Sequence, residues 1–150
     1  MPRTVPLAEV AALVGEDLGH SGWLTVDQRR IDAFADATGD HQWIHVDTIA
    51  AQDGPYGGTI AHGHLTLSLI IPLWSELLEI QHVTTKINYG LDRVRFPAPV
   101  RSGSRVRLQA SIAEVIGIPG GVQLVVDATM RAEGESRPVC VARPVLRYLA

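Results

Sequence analysis

Cysteine is almost missing from this chain. Cys140 stands alone among 150 residues, so no intrachain disulfide can form, and a reducing, cytoplasmic setting is the expectation. Excess positive charge is missing too: 13 Lys and Arg against 16 Asp and Glu leave a formal net charge of -3. That balance speaks against nucleic acid or an anionic membrane as the main partner. The basic residues are scattered, and their densest cluster, Arg101, Arg105 and Arg107, falls in a strand-like stretch. No apolar run follows Met1-Pro2-Arg3, so a signal peptide is not expected. The most apolar stretch, Leu65 to Ile80, carries Ser68, Pro72, Ser75, Glu76 and Glu79. It is too short and too polar to span a bilayer and reads as a core helix. Internal repeats and low-complexity segments are absent as well.

What remains is a chain with 46% hydrophobic and 19% charged residues, a balance that favours one globular domain over residues 1–150. Thr25-Val26-Asp27-Gln28 has the form of a capping box, with Thr25 as N-cap and Gln28 reaching back. Ile31, Phe34 and Ala35 follow at helical spacing, and Gly39 is a natural stop. Asp40 is then expected in a loop. Val46 to Gln52 can form a short helix ended by Asp53-Gly54-Pro55, and Gly57-Gly58 marks a tight turn. From His64 to Ile80 the apolar residues run nearly all round a helix, which predicts one long buried helix kinked at Pro72.

The second half switches to a period of two. Val106, Leu108, Ala110 and Ile112 alternate with polar neighbours, as do Val122, Leu124, Val126, Ala128 and Met130. Thr84 to Phe96 reads as an earlier strand bent at Gly90. Val139 to Leu149 reads as a last strand, with Pro144 marking an edge or a bulge. Helices first and about four antiparallel strands after them predict an α+β fold with a sheet curled round one helix.

Two stretches carry chemistry: Asp40-His41-Gln42-Trp43-Ile44-His45 and Gly57-Gly58-Thr59-Ile60-Ala61-His62-Gly63. The first sets a carboxylate and an imidazole five positions apart in a region too irregular for one helix. The second ends at a Gly where a helix N-terminus presents free N–H groups. An acid, a base and an oxyanion site are the parts needed to add water across a double bond next to a carbonyl. His41 and His45, four apart, invite a zinc reading, but Gly39-Asp40 and the lack of a following carboxylate pattern speak against it, and no metal is expected. His62 and His64 read as supporting or interface residues. Trp43 and Tyr56 fit a pocket wall or simple packing equally well. Lys86, Arg93, Arg95 and Arg101 are candidates for phosphate contacts, and solvated strand positions explain them as well.

These residues resemble a known family. Ala37-Thr38-Gly39-Asp40 to His45, with Asp47 and Ala50-Ala51, is similar to the hydratase motif of MaoC-like, (R)-specific enoyl-CoA hydratases, of the short, stand-alone mycobacterial type. Gly57 to Gly63 resembles the second segment of that family. Asn88-Tyr89-Gly90 and Arg93-Val94-Arg95-Phe96-Pro97-Ala98-Pro99-Val100 resemble the strand and loop that follow its central helix. The resemblance runs from about Gly15 to Tyr148. It implies a hot-dog fold with about five strands round a long helix, paired as a homodimer. It places Asp40 and His45 on the catalytic acid/base pair, and Gly63 on the residue whose N–H meets the thioester oxygen. The implied reaction is hydration of trans-2-enoyl-CoA to (R)-3-hydroxyacyl-CoA without metal or other cofactor, the acyl-CoA being the substrate. The division of acid and base between Asp40 and His45 stays open, as does CoA against acyl carrier protein. Many relatives read Asp-x-Asn-Pro-x-His; Gln42 and Trp43 stand here for Asn and Pro. The alternatives are an acyl-CoA thioesterase on the same fold, or a non-catalytic subunit that binds an acyl carrier.

Overall fold

Alternating burial along the second half of the chain lays down a sheet, and short apolar segments before it supply a bent central helix. The computed structural model describes residues Met1–Ala150. In chain order the elements are β1 (Arg3–Pro6), a 3-10 segment (Leu7–Leu13), β2 (Asp17–His20), β3 (Leu24–Val26), α1 (Gln28–Thr38), α2 (Trp43–Val46), a second 3-10 segment (Ala50–Asp53), α3 (Gly63–Ser68) and α4 (Ile70–Leu77). Then come β4 (Leu78–Gln81), β5 (Thr85–Arg95), β6 (Ser104–Ile118), β7 (Gly121–Ala132) and β8 (Cys140–Leu149). A six-stranded sheet has the order β2-β6-β7-β8-β5, with β3 also paired to β6. Its pairings are antiparallel, while β1 and β4 form a separate parallel pair. No helix is long and apolar enough to cross a membrane. The result is the hot-dog arrangement of a curled sheet on a central helix.

Several expectations need correction. The N-cap of α1 is Asp27, whose carboxylate accepts from Arg30 N–H at 2.9 Å, while Thr25 lies in β3. Asp27 wins because its own backbone is extended (φ -86°, ψ 171°) directly before the first helical residue. Between Val46 and Gln52 there is no single helix; α2 and the 3-10 segment Ala50–Asp53 flank Asp47, whose carboxylate accepts from Ile49 and Ala50 N–H. The central helix is two pieces broken at Leu69 and ending at Leu77. Pro72 explains the break: it has no N–H, and its ring crowds the carbonyl four residues back, that of Ser68, the last residue of α3. The helix is not buried all round either. Leu65, Leu69, Ile70, Leu73, Trp74 and Leu77 are buried, whereas Leu67 and Ile71 are half-buried and Ser68 and Pro72 exposed. β8 is an interior strand, not an edge. Pro144 is tolerated there because the pairing to β7 lapses between Val145↔Val125 and Ala142↔Ala128.

The concave sheet face supplies the other half of the core. Val106, Leu108, Ala110 and Ile112 of β6 and Leu124, Val126, Ala128 and Met130 of β7 pack in one cluster with the helix residues. The β5–β8 register shifts between Asn88 and Gly90 and again between Leu91 and Val94. Inside the core, Trp74 Nε1–H donates to the Tyr148 hydroxyl at 2.8 Å, and burial pushes the Tyr148 hydroxyl above the usual phenol range. Tyr148→Phe strands the Trp74 N–H, and urea unfolding should show a loss of about 1–3 kcal/mol.

Candidate active site

The site begins where α1 stops. Gly39 adopts φ 80°, a left-handed conformation that ends the helix as its N–H donates to Ala35 C=O at 2.8 Å. The chain turns out of the helix and Asp40 follows in the loop. The Thr38 hydroxyl ties down to Phe34 C=O at 2.7 Å. Asp40 Oδ1 faces the Gln42 N–H at 3.4 Å. Gln42 is the N-cap of α2 and makes no side-chain cap bond. Trp43 lies against the Gly54 turn, where a Cβ would sit 3.0 Å from its ring, and is itself 45% exposed.

The single turn of α2 carries His45 inward, where it is buried. Its Nδ1 lies 2.7 Å from Ile60 C=O. A carbonyl only accepts, so Nδ1 carries the proton and Nε2 keeps its lone pair. Gln28 holds this turn from behind. Its Nε2 donates to His45 C=O at 2.7 Å and Asp32 Oδ1 at 2.8 Å, and its Oε1 accepts from the Thr59 hydroxyl at 2.5 Å. One amide thereby links α1, α2 and the segment leading to α3. Gln28→Ala leaves the buried Thr59 hydroxyl and a carbonyl unpaired; denaturant unfolding should show a loss of about 1–3 kcal/mol.

The second segment is pinned at both sides. Ile60 N–H donates to Ile44 C=O at 3.0 Å, and Ala61 N–H to Val100 C=O at 2.7 Å. These bonds seat His62 and Gly63 at the start of α3. Gly63 is the first helical residue, and a first-turn N–H has no acceptor within its own helix. A Cβ on Gly63 would meet the Phe96 ring at 3.0–3.2 Å, so only glycine admits that ring without a shift. His62 is buried, and its ring stacks on His45 with centroids 3.9 Å apart.

Asp40, His45, His62, Gly63, His64 and Phe96 line one cleft of about 270 Å³. All three sequence candidates, Asp40, His45 and Gly63, are among them. An apolar cleft of about 430 Å³ adjoins it, sharing Gly63 and Phe96 and walled by Tyr56, Ile60, Thr66 and Val139 among others. Lys86, Arg93, Arg95 and Arg101 are not among the residues of the first cleft. His41 is not either: it pairs with Asp36 at 3.0 Å on the surface, and that hydrogen bond raises its pKa above the usual imidazole value. His41 and His45 therefore do not form a joint ligand pair. Donor atoms of Asp40, His45 and His62 do lie within 4.8 Å of one another. The two rings are tilted by only 23°, so their in-plane lone pairs barely converge, and ligating one ion needs one ring to leave the stack. Cys140 lies outside both clefts, and burial pushes its thiol up to about 11.

Gln28 and Phe96 were absent from the sequence-derived candidates, and His62 was read from the sequence as a supporting or interface residue. His62 had a signal, since it directly precedes Gly63. Gln28 bonds to residues 17 and 31 positions away and had none.

Comparison with known proteins agrees with this architecture. A family profile described as MaoC like domain matches residues 9–132. A protein of Mycobacterium tuberculosis named 3-hydroxyacyl-thioester dehydratase Z is 49% identical over 145 residues, covering 96% of each chain. Nodulation protein N of Rhizobium leguminosarum bv. viciae is 49% identical over 140 residues, covering 91% of this chain and 86% of its own. Among solved structures, the unliganded R-hydratase PhaJ1 from Pseudomonas aeruginosa superposes with a TM-score of 0.73 at 20% identity, covering 91% of this chain and 81% of that one; at that identity the likeness speaks for the fold. A profile matched over most of the sequence, near-full-length relatives and the hot-dog architecture lead to one statement: the chain belongs to the MaoC-like dehydratase family.

Proposed function

We propose that this protein hydrates trans-2-enoyl-CoA to (R)-3-hydroxyacyl-CoA and catalyses the reverse dehydration. The observation that carries the reading is a single cleft lined by the Asp40 carboxylate, the His45 imidazole and the first residue of α3, Gly63. In an enoyl thioester C3 is electrophilic, and attack on it drives negative charge onto the thioester oxygen. The Gly63 N–H offers a fixed donor for that charge. Water is a poor nucleophile at neutral pH, so a base must remove a proton as it attacks. His45 fits that task because Ile60 C=O occupies Nδ1 and leaves Nε2 as acceptor. Asp40 orients the water. The pair gains one proton from water and returns one to C2, so it ends each turnover in its starting charge state. Delivery of both groups from the side of the pair gives syn addition. The reaction as written draws on no metal or other cofactor, the CoA thioester being the substrate. The curated mycobacterial relative, named for 3-hydroxyacyl-thioester dehydration, supports the same chemistry. Purified protein given a chain-length series of enoyl-CoA substrates should deplete the double bond without releasing thiol; thiol release would favour a thioesterase.

The sheet ends in β5, whose residues are exposed almost throughout. Ile87, Tyr89 and Leu91 are 39%, 56% and 47% exposed along that free edge. An edge of eleven residues with apolar side chains invites pairing. We assign it to a second copy of this chain in a cytoplasmic homodimer. Light scattering at micromolar concentration should give twice the 16.2 kDa chain mass; a monomer counts against the assignment.

A further inference from the structure

We propose that His62 is the positioning residue of the Asp40–His45 pair, a single ring that fixes the His45 imidazole and the Asp40 main chain relative to one another. The proposal rests on the hydration reading above. His62 is 3% exposed. Its ring stacks on His45 at 3.9 Å with a 23° tilt, and Phe34 packs against it at 4.8 Å. Its Nε2 lies 2.9 Å from Asp40 C=O. The carbonyl accepts, so Nε2 carries the proton and Nδ1 is left with a lone pair. That Nδ1 is buried and has no hydrogen-bond partner.

The unpartnered nitrogen is the informative detail. A side chain selected only to fill space here would be Phe, which buries no orphan polar atom. One selected only to hold the Asp40 carbonyl could be Gln. Imidazole supplies a flat face for His45 and a donor for Asp40 at once, at the cost of one idle nitrogen. The ring acts by position: its face lies on His45 and its donor on the Asp40 C=O. Because Gly63 is the next residue, one short segment sets the base, the acid and the oxyanion donor together.

The test compares the parent with His62→Phe, which keeps the ring and loses the donor, and His62→Gln, which keeps a donor and loses the ring. Three quantities are read: kcat and KM for crotonyl-CoA, the thermal midpoint, and the NMR signals of the His45 imidazole. Each variant should lose roughly 10- to 100-fold in kcat with KM little changed. In His62→Gln the acidic limb of the kcat–pH profile should move and the His45 ring signals should shift and broaden; in His62→Phe the limb should stay in place. A lowered thermal midpoint with kcat and the pH profile unchanged would mean that His62 is merely structural and overturns the proposal. Unchanged His45 signals in His62→Gln overturn it too, whether or not the parent turns over. A parent that adds no water to crotonyl-CoA while its His45 signals respond to His62→Gln defeats the hydration reading and leaves the positioning role intact.

Discussion

Replacing His45 with Ala lowers kcat for crotonyl-CoA hydration by roughly 10²- to 10⁴-fold, with KM little changed. The expectation follows from the geometry of one ring. Ile60 C=O fixes Nδ1 as the protonated nitrogen, so Nε2 is the atom available to take a proton. On the proposed role, loss of the imidazole should remove an interaction needed in the transition state, where the water is being deprotonated, and should leave binding of the CoA thioester untouched. Asp40→Asn is the partner experiment. Asp40 is exposed and its carboxylate receives one weak backbone contact from Gln42, so the amide should fold without loss of stability. Its kcat should nonetheless fall by about 10²-fold or more, since an amide sets an N–H donor against the water where the carboxylate only accepts. The double variant should be little worse than the poorer single one, because two groups that share one water act as a unit. Steady-state kinetics with each purified variant checks these expectations, alongside a thermal melt to show that folding is retained.

The second large effect concerns a proton on a main-chain nitrogen. Gly63→Pro should lower kcat by roughly 10²- to 10³-fold, about 2.7–4 kcal/mol of barrier, by deleting the oxyanion donor. Proline suits the position otherwise. Gly63 is the first residue of α3, where proline is tolerated, and His62 before it already holds φ -59° and ψ 139°, the extended backbone that precedes proline. The control is Gly63→Ala, which retains the N–H and adds only a Cβ. That Cβ meets the Phe96 ring at 3.0–3.2 Å, but Phe96 is 40% exposed and its ring has room to turn aside. Alanine should therefore keep most of the activity that proline abolishes. Equal losses in both variants would assign the effect to the displaced ring and not to the missing proton.

Much of this site was legible in the linear chain, and the reasons are local. Gly39 announces a helix end by its own conformational freedom, and Asp40 and His45 follow at a fixed distance along a short loop. The strands β6 and β7 are long enough for period-two burial to show, and the alternation survives in the structure up to Ile112 of β6 and from Val126 to Ala132 of β7. The first four strands were not legible. Each has three or four residues, too few for an alternation to stand out. The central helix misled for a different reason: its composition is apolar on all sides, yet the break falls at Leu69, where the effect of Pro72 is felt a turn upstream. The half-buried Leu67–Ile71 side looks toward an apolar cleft walled by Leu91, Pro144 and Leu146. Gln28 escaped, and His62 was read only as a supporting or interface residue without its partners, because their work is done across space. A stack between residues 17 apart and an amide bridging three elements leave no periodic trace.

Water addition to crotonyl-CoA, followed by chiral analysis of the product, tests the assignment of Asp40, His45 and Gly63 most directly. The predicted result is (R)-3-hydroxybutyryl-CoA from the parent protein and almost none from the Asp40→Asn/His45→Ala double variant. Free CoA thiol with the double bond intact, or the same hydroxyacyl product at the parent rate from the double variant, would contradict it.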